Sequence, residues 1–197
     1  MIKIGVFYLP DRNLNNDIKE LKSFFGEKTK NSHFIDHIPH STFYLFNSDE
    51  SKIKNIITNF ENIKKNISSF SVEIHDWIIF ENDISTGMNT LCLKFNSTID
   101  LIHLQRIIVE ALFKNHISSN NIGLQGELLK SDKLYGFPFV GQHWLPHITI
   151  GSLDIPSTDI IRYCNEIFKF PRKVKINNLN LFRVYGDSHE LINTIEF

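Results

Sequence analysis

Two short strings hold the residues best able to do chemistry: His40-Ser41-Thr42 and His147-Ile148-Thr149. Each follows a proline, Pro39 or Pro146. Each then runs into an apolar stretch, Phe43-Tyr44-Leu45-Phe46 or Ile150-Gly151-Ser152-Leu153. In a β-strand, residues i and i+2 share a face, so the imidazole and hydroxyl of each string should stand side by side. Imidazole titrates near pH 6.5, so one copy can take a proton while the other gives one. The threonine hydroxyls can donate to phosphoryl oxygens. Two such copies suit a pseudo-symmetric site built around a phosphate. Alternation turns Ser41 away from His40, which makes it a poor nucleophile.

Base recognition at such a site should come from aromatic stacking, worth about 1–3 kcal/mol per base. Alternation places Tyr44 and Phe46 on the cleft face of the first motif strand; Tyr135, Phe137 and Trp144 are candidates from the second half. Lys130, Lys133, Arg172 and Arg183 are the cations considered for phosphate contact.

The surrounding elements must position these groups. Residues 2–9 read as a strand, and Leu14, Ile18, Leu21 and Phe25 as a helix stopped at Gly26. The first motif strand covers about 39–46. Asn47 and Glu50 form a capping pattern for a helix with Ile53, Ile56, Ile57 and Phe60 inward. Three strands follow at 70–74, 77–80 and 90–95. Ser97 and Asp100 open a helix carrying Leu101, Leu104, Ile108 and Leu112. Residues 117–142 break the pattern and read as a substrate flap whose glycines permit backbone freedom. The second motif strand spans about 146–152. Pro156-Ser157 starts a helix ended by Pro171, and two last strands cover 173–185 and 190–197. The order of elements looks duplicated, although the halves share no sequence outside the motifs.

The length of 197 residues suits one domain. A formal net charge of −1 excludes a global field for a long polyanion, so any nucleotide ligand should be small or held locally rather than a duplex. Cys92 and Cys164 have neither metal nor redox spacing and fit a reducing compartment. With no signal-peptide pattern and no apolar run of membrane-spanning length, a cytoplasmic monomer is expected.

The paired motifs, their element order and the closing strand pair from Leu179-Asn180-Leu181-Phe182-Arg183 to Phe197 resemble the two-histidine (2H) phosphoesterase superfamily. The resemblance is to its LigT-like, 2′-5′ RNA ligase-like branch, over essentially the whole chain. It implies an α+β, bilobal fold with two antiparallel sheets facing a central cleft and helices outside, as one domain over 1–197. It implies metal-independent phosphodiesterase chemistry, without a cofactor, on an RNA terminus or small nucleotide: a cyclic phosphate, a 2′-5′ linkage or a cyclic oligonucleotide. His40 and His147 become the acid and base, with Thr42 and Thr149 as phosphate ligands. The branch often carries a basic residue near Ser152 and Leu153, and a lysine where Tyr44 stands. Both departures weaken the case for a transfer-RNA ligase substrate and favour a different or smaller ligand, with hydrolysis ahead of ligation.

Two other readings compete. His33, Asp36, His37 and His40 crowd together, and His33 and His37 would share a helical face, as a zinc-dependent hydrolase could use. No H-E-x-x-H string accompanies them, and Pro39 opposes a helix there. A non-catalytic nucleotide-binding module is the third reading, although binding alone does not require two proton-transfer groups.

Overall fold

The apolar spacing of the chain is resolved by the computed structural model, which describes residues 1–83, 85–117, 123–186 and 188–197. The elements begin with β1 (Ile2–Tyr8), α1 (Arg12–Lys28), β2 (Ser32–His33), β3 (Ser41–Ser48) and α2 (Ile53–Ile63). They continue with β4 (Phe70–Phe80), β5 (Asn89–Phe95), α3 (Ile99–Leu112), α4 (Gly126–Tyr135) and β6 (His147–Leu153). The last are α5 (Ser157–Ile167), β7 (Arg172–Ile176), β8 (Asn178–Tyr185) and β9 (Ser188–Glu196). One antiparallel sheet has the order β3-β1-β8-β9, and the other β2-β6-β5-β4-β7. This is the α+β architecture expected from the resemblance.

Each sheet is backed by helices on one face. α1 begins where the Asp11 side chain accepts from Leu14 N–H at 2.9 Å, and buries Leu14, Ile18, Leu21 and Phe25. It runs past Gly26, because one glycine costs only about 1 kcal/mol in a helix held by packing. The helix following β1 does not cover β1. α1 packs on β6, while α3, which follows β5, packs on β3 and α2. Phe24 of α1 meets Tyr163 of α5 at 5.4 Å. Each half of the chain thus lends a helix to the other half's sheet.

Two expected strand boundaries were wrong for one reason. The segment expected as a single strand over 173–185 is β7 in one sheet and β8 in the other. Val174 and Ile176 are buried, then Leu179 and Leu181. The phase slips by one at Asn177, and a one-residue slip reverses every side chain. Asn178 holds the crossing by accepting from Leu9 N–H at 3.2 Å and donating to the Leu9 carbonyl at 3.1 Å. Conversely, 70–74 and 77–80 are one strand, because a bulge at His75 absorbs the slip between Ile74 and Asp76. Among the described residues, no helix is long and apolar enough to cross a membrane.

Candidate active site

The two motifs open β3 and β6 at equivalent places, and both strands carry the same irregularity. In β3, Thr42 pairs with Phe7 and Tyr44 with Val6, leaving Phe43 as an extra residue. In β6, Thr149 pairs with Cys92 and Gly151 with Leu91, leaving Ile150 extra. Each bulge falls immediately after the motif threonine. Bulges re-aim side chains and recur beside active sites. Here they keep His40 and Thr42, and His147 and Thr149, half-exposed, while Ser41, Phe43, Ile148 and Ile150 are buried.

The two imidazoles are held in the same way. His40 Nδ1 lies 2.7 Å from the Ile38 carbonyl oxygen, and His147 Nδ1 lies 2.7 Å from that of Leu145. A carbonyl only accepts, so Nδ1 carries the hydrogen in both rings and Nε2 is left for chemistry. The prolines between carbonyl and histidine fix the backbone that makes this contact. The motifs are joined directly: Trp144 Nε1–H donates to the Thr42 carbonyl at 3.0 Å, and its indole lies 4.9 Å from the Phe43 ring.

The surroundings of the histidines differ. His40 stacks on Phe7 at 4.2 Å, with His189 at 5.2 Å. Desolvation is the main cause that pulls His40 down to about 3, helped by positive charge at His189, His37 and Lys22; the Ile38 carbonyl opposes it. His147 meets the edge of Phe80 at 5.8 Å. Burial lowers it below its ordinary value, and the Leu145 carbonyl opposes the shift. Both rings therefore favour the neutral form when no anion is bound.

Several sequence-named residues lie elsewhere. Tyr44 and Phe46 are 0% and 2% exposed, because the Phe43 bulge moves them from the cleft face to the helix-covered face. Tyr44 hydroxyl donates to the Tyr135 carbonyl. Neither is a stacking platform. Tyr135 and Phe137 pack on the core beside Phe113 and Tyr44, and the segment expected to be an irregular flap contains α4. Gly136 (φ 70°) caps that helix in the left-handed conformation, and residues 118–122 fall outside the described residues. Trp144 ties the motifs together and is 7% exposed. Arg183 lies on the helix side of β8, ion-paired with Glu50, and Arg172 pairs with Asp17. Lys130 pairs with Glu127 at 2.6 Å on the surface of α4; Lys133 belongs to the same helix. Ser41 is buried with its back to the site, as alternation requires.

The site also contains residues that sequence inspection missed. Lys94 pairs in register with His147 and shares the face of Cys92 and Thr149. Cys92 Sγ lies 3.6 Å from Thr149 Oγ1, and burial pushes its thiol up to about 12, leaving it neutral. Phe7, Phe182 and His189 form a ring cluster under His40. Gly5 makes room for it: a Cβ there would lie 2.3 Å from Phe7 Cζ. Ser152, where a basic residue is frequent in the resembled branch, instead meets Thr86 and Thr90 hydroxyls at 2.6 and 2.9 Å. No three His, Cys, Asp or Glu side chains among the described residues form a group that could hold a metal ion. His33 lies in β2 opposite Ser152, so it does not share a helical face with His37.

No family model and no curated protein matches the sequence. Solved structures do. TT0787 of Thermus thermophilus aligns with a TM-score of 0.68 at 10% identity, over 99% of this chain and 97% of that one. E. coli LigT in its apo form gives 0.60 at 11% identity, over 99% and 96%. The MHV ns2 PDE domain gives 0.56 at 13% identity, over 92% and 99%. The fold of this chain is the one shared by TT0787, E. coli LigT and the MHV ns2 PDE domain.

Proposed function

We propose that the chain is a metal-independent phosphodiesterase acting on a small nucleotide or an RNA end, with His40 as general base and His147 as general acid. The observation that carries this reading is the matched pair of Nδ1–H clamps, which leave two Nε2 atoms on strands tied together through Trp144 and Thr42. Mere structural histidines have no need of the same tautomer, the same proline and the same bulge twice. Two of the neighbours support the ligand class: LigT has been solved with 3'-AMP and with phosphate. The exchange of α1 and α3 between the sheets supports treating residues 1–197 as one bilobal domain.

In the proposed step, neutral His40 Nε2 takes the proton of the attacking hydroxyl, from water or a ribose, as its oxygen bonds to phosphorus. The bond to the departing ribose oxygen breaks, and His147 imidazolium supplies the proton from Nε2. Each transfer contributes about 10²- to 10⁴-fold. Thr42 and Thr149 hydroxyls and the Lys94 ammonium are placed to hold the phosphoryl oxygens as charge develops. His40 is assigned as base because Lys22, His37 and His189 act electrostatically against its protonation; His147 is assigned as acid because the substrate anion can raise it toward its ordinary range. Turnover should be measured on nucleoside 2′,3′-cyclic phosphates, 2′-5′ oligoadenylates and cyclic oligonucleotides, with and without excess EDTA. Activity abolished by EDTA and restored by zinc would refute the reading.

A further inference from the structure

One lysine of α1 is turned inward. Lys22 is 4% exposed, and its ammonium donates to the Phe34 carbonyl at 2.5 Å. An ammonium has three N–H donors, and a buried cation costs several kcal/mol unless it is paired. Asp36 is near enough to influence it electrostatically, yet is itself exposed and forms no ion pair with it among the described residues. Lys22 therefore has positive charge and donors to spare. They line a cavity of about 280 Å³ together with Lys19, Ser23, Asp36 and His37.

The backbone around this cavity is strained in its favour. Phe34 has φ of +66°, a conformation that costs a bulky residue of order 1–3 kcal/mol and that clusters at binding sites. It presents the carbonyl that anchors Lys22 and sends Asp36 and His37 around the cavity. His37 also reaches toward the catalytic cleft: its ring lies 5.0 Å from that of His189, which lies 5.2 Å from His40. Pro39, adjoining His40, completes the wall.

We propose that this cavity is an anion subsite, in which Lys22, assisted by Lys19, Ser23 and His37, holds a phosphate group other than the one between the two catalytic histidines. The ligand class is a nucleotide with a second phosphate, either a terminal phosphomonoester or the next phosphodiester of a chain. That identification as substrate rests on the proposed phosphodiesterase function; anion binding does not. Asp36 works against the anion from the rim. Lys22 is pulled down to about 8 by burial, with Asp36 and Cys92 opposing, and among the described residues Lys19, His37 and His40 are further titratable groups around it. Binding should fade as the solution rises through pH 8 and the ammonium loses its proton.

The test uses the full chain carrying His40→Ala and His147→Ala, which removes the acid–base pair and leaves the cavity intact. Inorganic phosphate is titrated in while the Lys22 and His37 side-chain signals are followed by NMR. Saturable shifts of both are expected at pH 6.5, with binding weakened about tenfold or more at pH 9.5 and by adding Lys22→Met. Asp36→Asn should tighten it severalfold, and serves as the second variant should Lys22→Met not fold. No saturable response at Lys22, or unchanged affinity after Asp36→Asn, overturns the subsite. In the native chain, a 5′-phosphate on a nucleoside 2′,3′-cyclic phosphate should lower KM about tenfold; a KM indifferent to it overturns the link to substrate. Absence of turnover on every phosphodiester, with the Lys22 response intact, would instead count against the phosphodiesterase reading alone.

Discussion

Gly5→Ala should damage the candidate site without touching a proposed catalytic residue. The added Cβ would lie 2.3 Å from Phe7 Cζ and 2.6 Å from Cε1, whereas ordinary contact begins at 3.4 Å, so the ring must move by about 1 Å. It has little room to do so. His40 stacks on it at 4.2 Å, and Phe182 lies 5.4 Å away. Overpacking of this kind costs about 1–3 kcal/mol. For a chain of this size each kcal/mol lowers Tm by about 2–4 °C, so melting should fall by roughly 2–12 °C. The displaced Phe7 tilts His40 off its line, and a misplacement near 1 Å can cost about 10²-fold in rate. Melting would be followed by circular dichroism, and kcat/KM measured on a nucleoside 2′,3′-cyclic phosphate well below the melting range. Gly5→Ala combined with Phe7→Leu should regain much of the Tm, since the shorter side chain clears the new methyl, but not the rate, since the stack under His40 is gone. A lowered Tm with native kcat/KM would refute the claim that Phe7 positions His40.

Five other outcomes are expected. His40→Ala and His147→Ala should each cut kcat/KM about 10²-fold or more while the melting transition survives; loss of cooperative melting would mean that the rings are structural. In the free protein both histidines titrate below 6.5, His40 at about 3. The kcat/KM profile should therefore be a bell centred on the acid side of neutrality, and an alkaline limb above pH 7 would contradict the assignment of His147 as acid. The same shifts make a stability statement: their contribution is complete above about pH 6.5, the unfolded value, and is lost as pH falls toward the folded values. Tm should decline over that window, and decline less in His40→Ala. Lys94→Met should raise KM about tenfold with little change in Tm, whereas an unchanged KM removes Lys94 from the phosphate site. Phe137→Ala should lower stability by about 2–4 kcal/mol through lost packing and leave KM alone; a KM effect without a Tm effect would restore the lid reading of this segment.

How far the sequence could be read depended on whether the needed relation was local. The motif faces were legible, because His40 and Thr42 are two apart and the strand period is two. The face of Tyr44 was not, because the extra residue Phe43 is defined only against Val6 and Phe7 on another strand. Arg183 failed for a related reason: its distance from Leu181 says nothing about which side of β8 the helices cover. Lys94 stands beside His147 through a register between strands far apart in sequence, and no pattern inside 90–95 announces it. The phase change between Ile176 and Leu179 is local and written in the sequence, since positions spaced by two cannot include both residues. Nothing in the sequence separates Lys22 from the other polar positions of α1; only the path of residues 34–39 reveals that it points inward.

The placement of β1 between β3 and β8 has a consequence for how the protein is made. Lys3 pairs with Val184 and Phe7 with Asn180, so nearly the whole chain must be synthesised before one side of the first strand finds its partner. Until then β1 shows an open row of amide and carbonyl groups, and Phe7 has neither Phe182 nor His189 beside it. Such an unfinished edge invites pairing with other nascent chains, and closing a loop of that span tends to make folding slow. The pocket wall beneath His40 is thus among the last parts to form, and a ribosome-bound fragment ending before β8 would carry both motifs without the Phe182 and His189 rings that pack against Phe7.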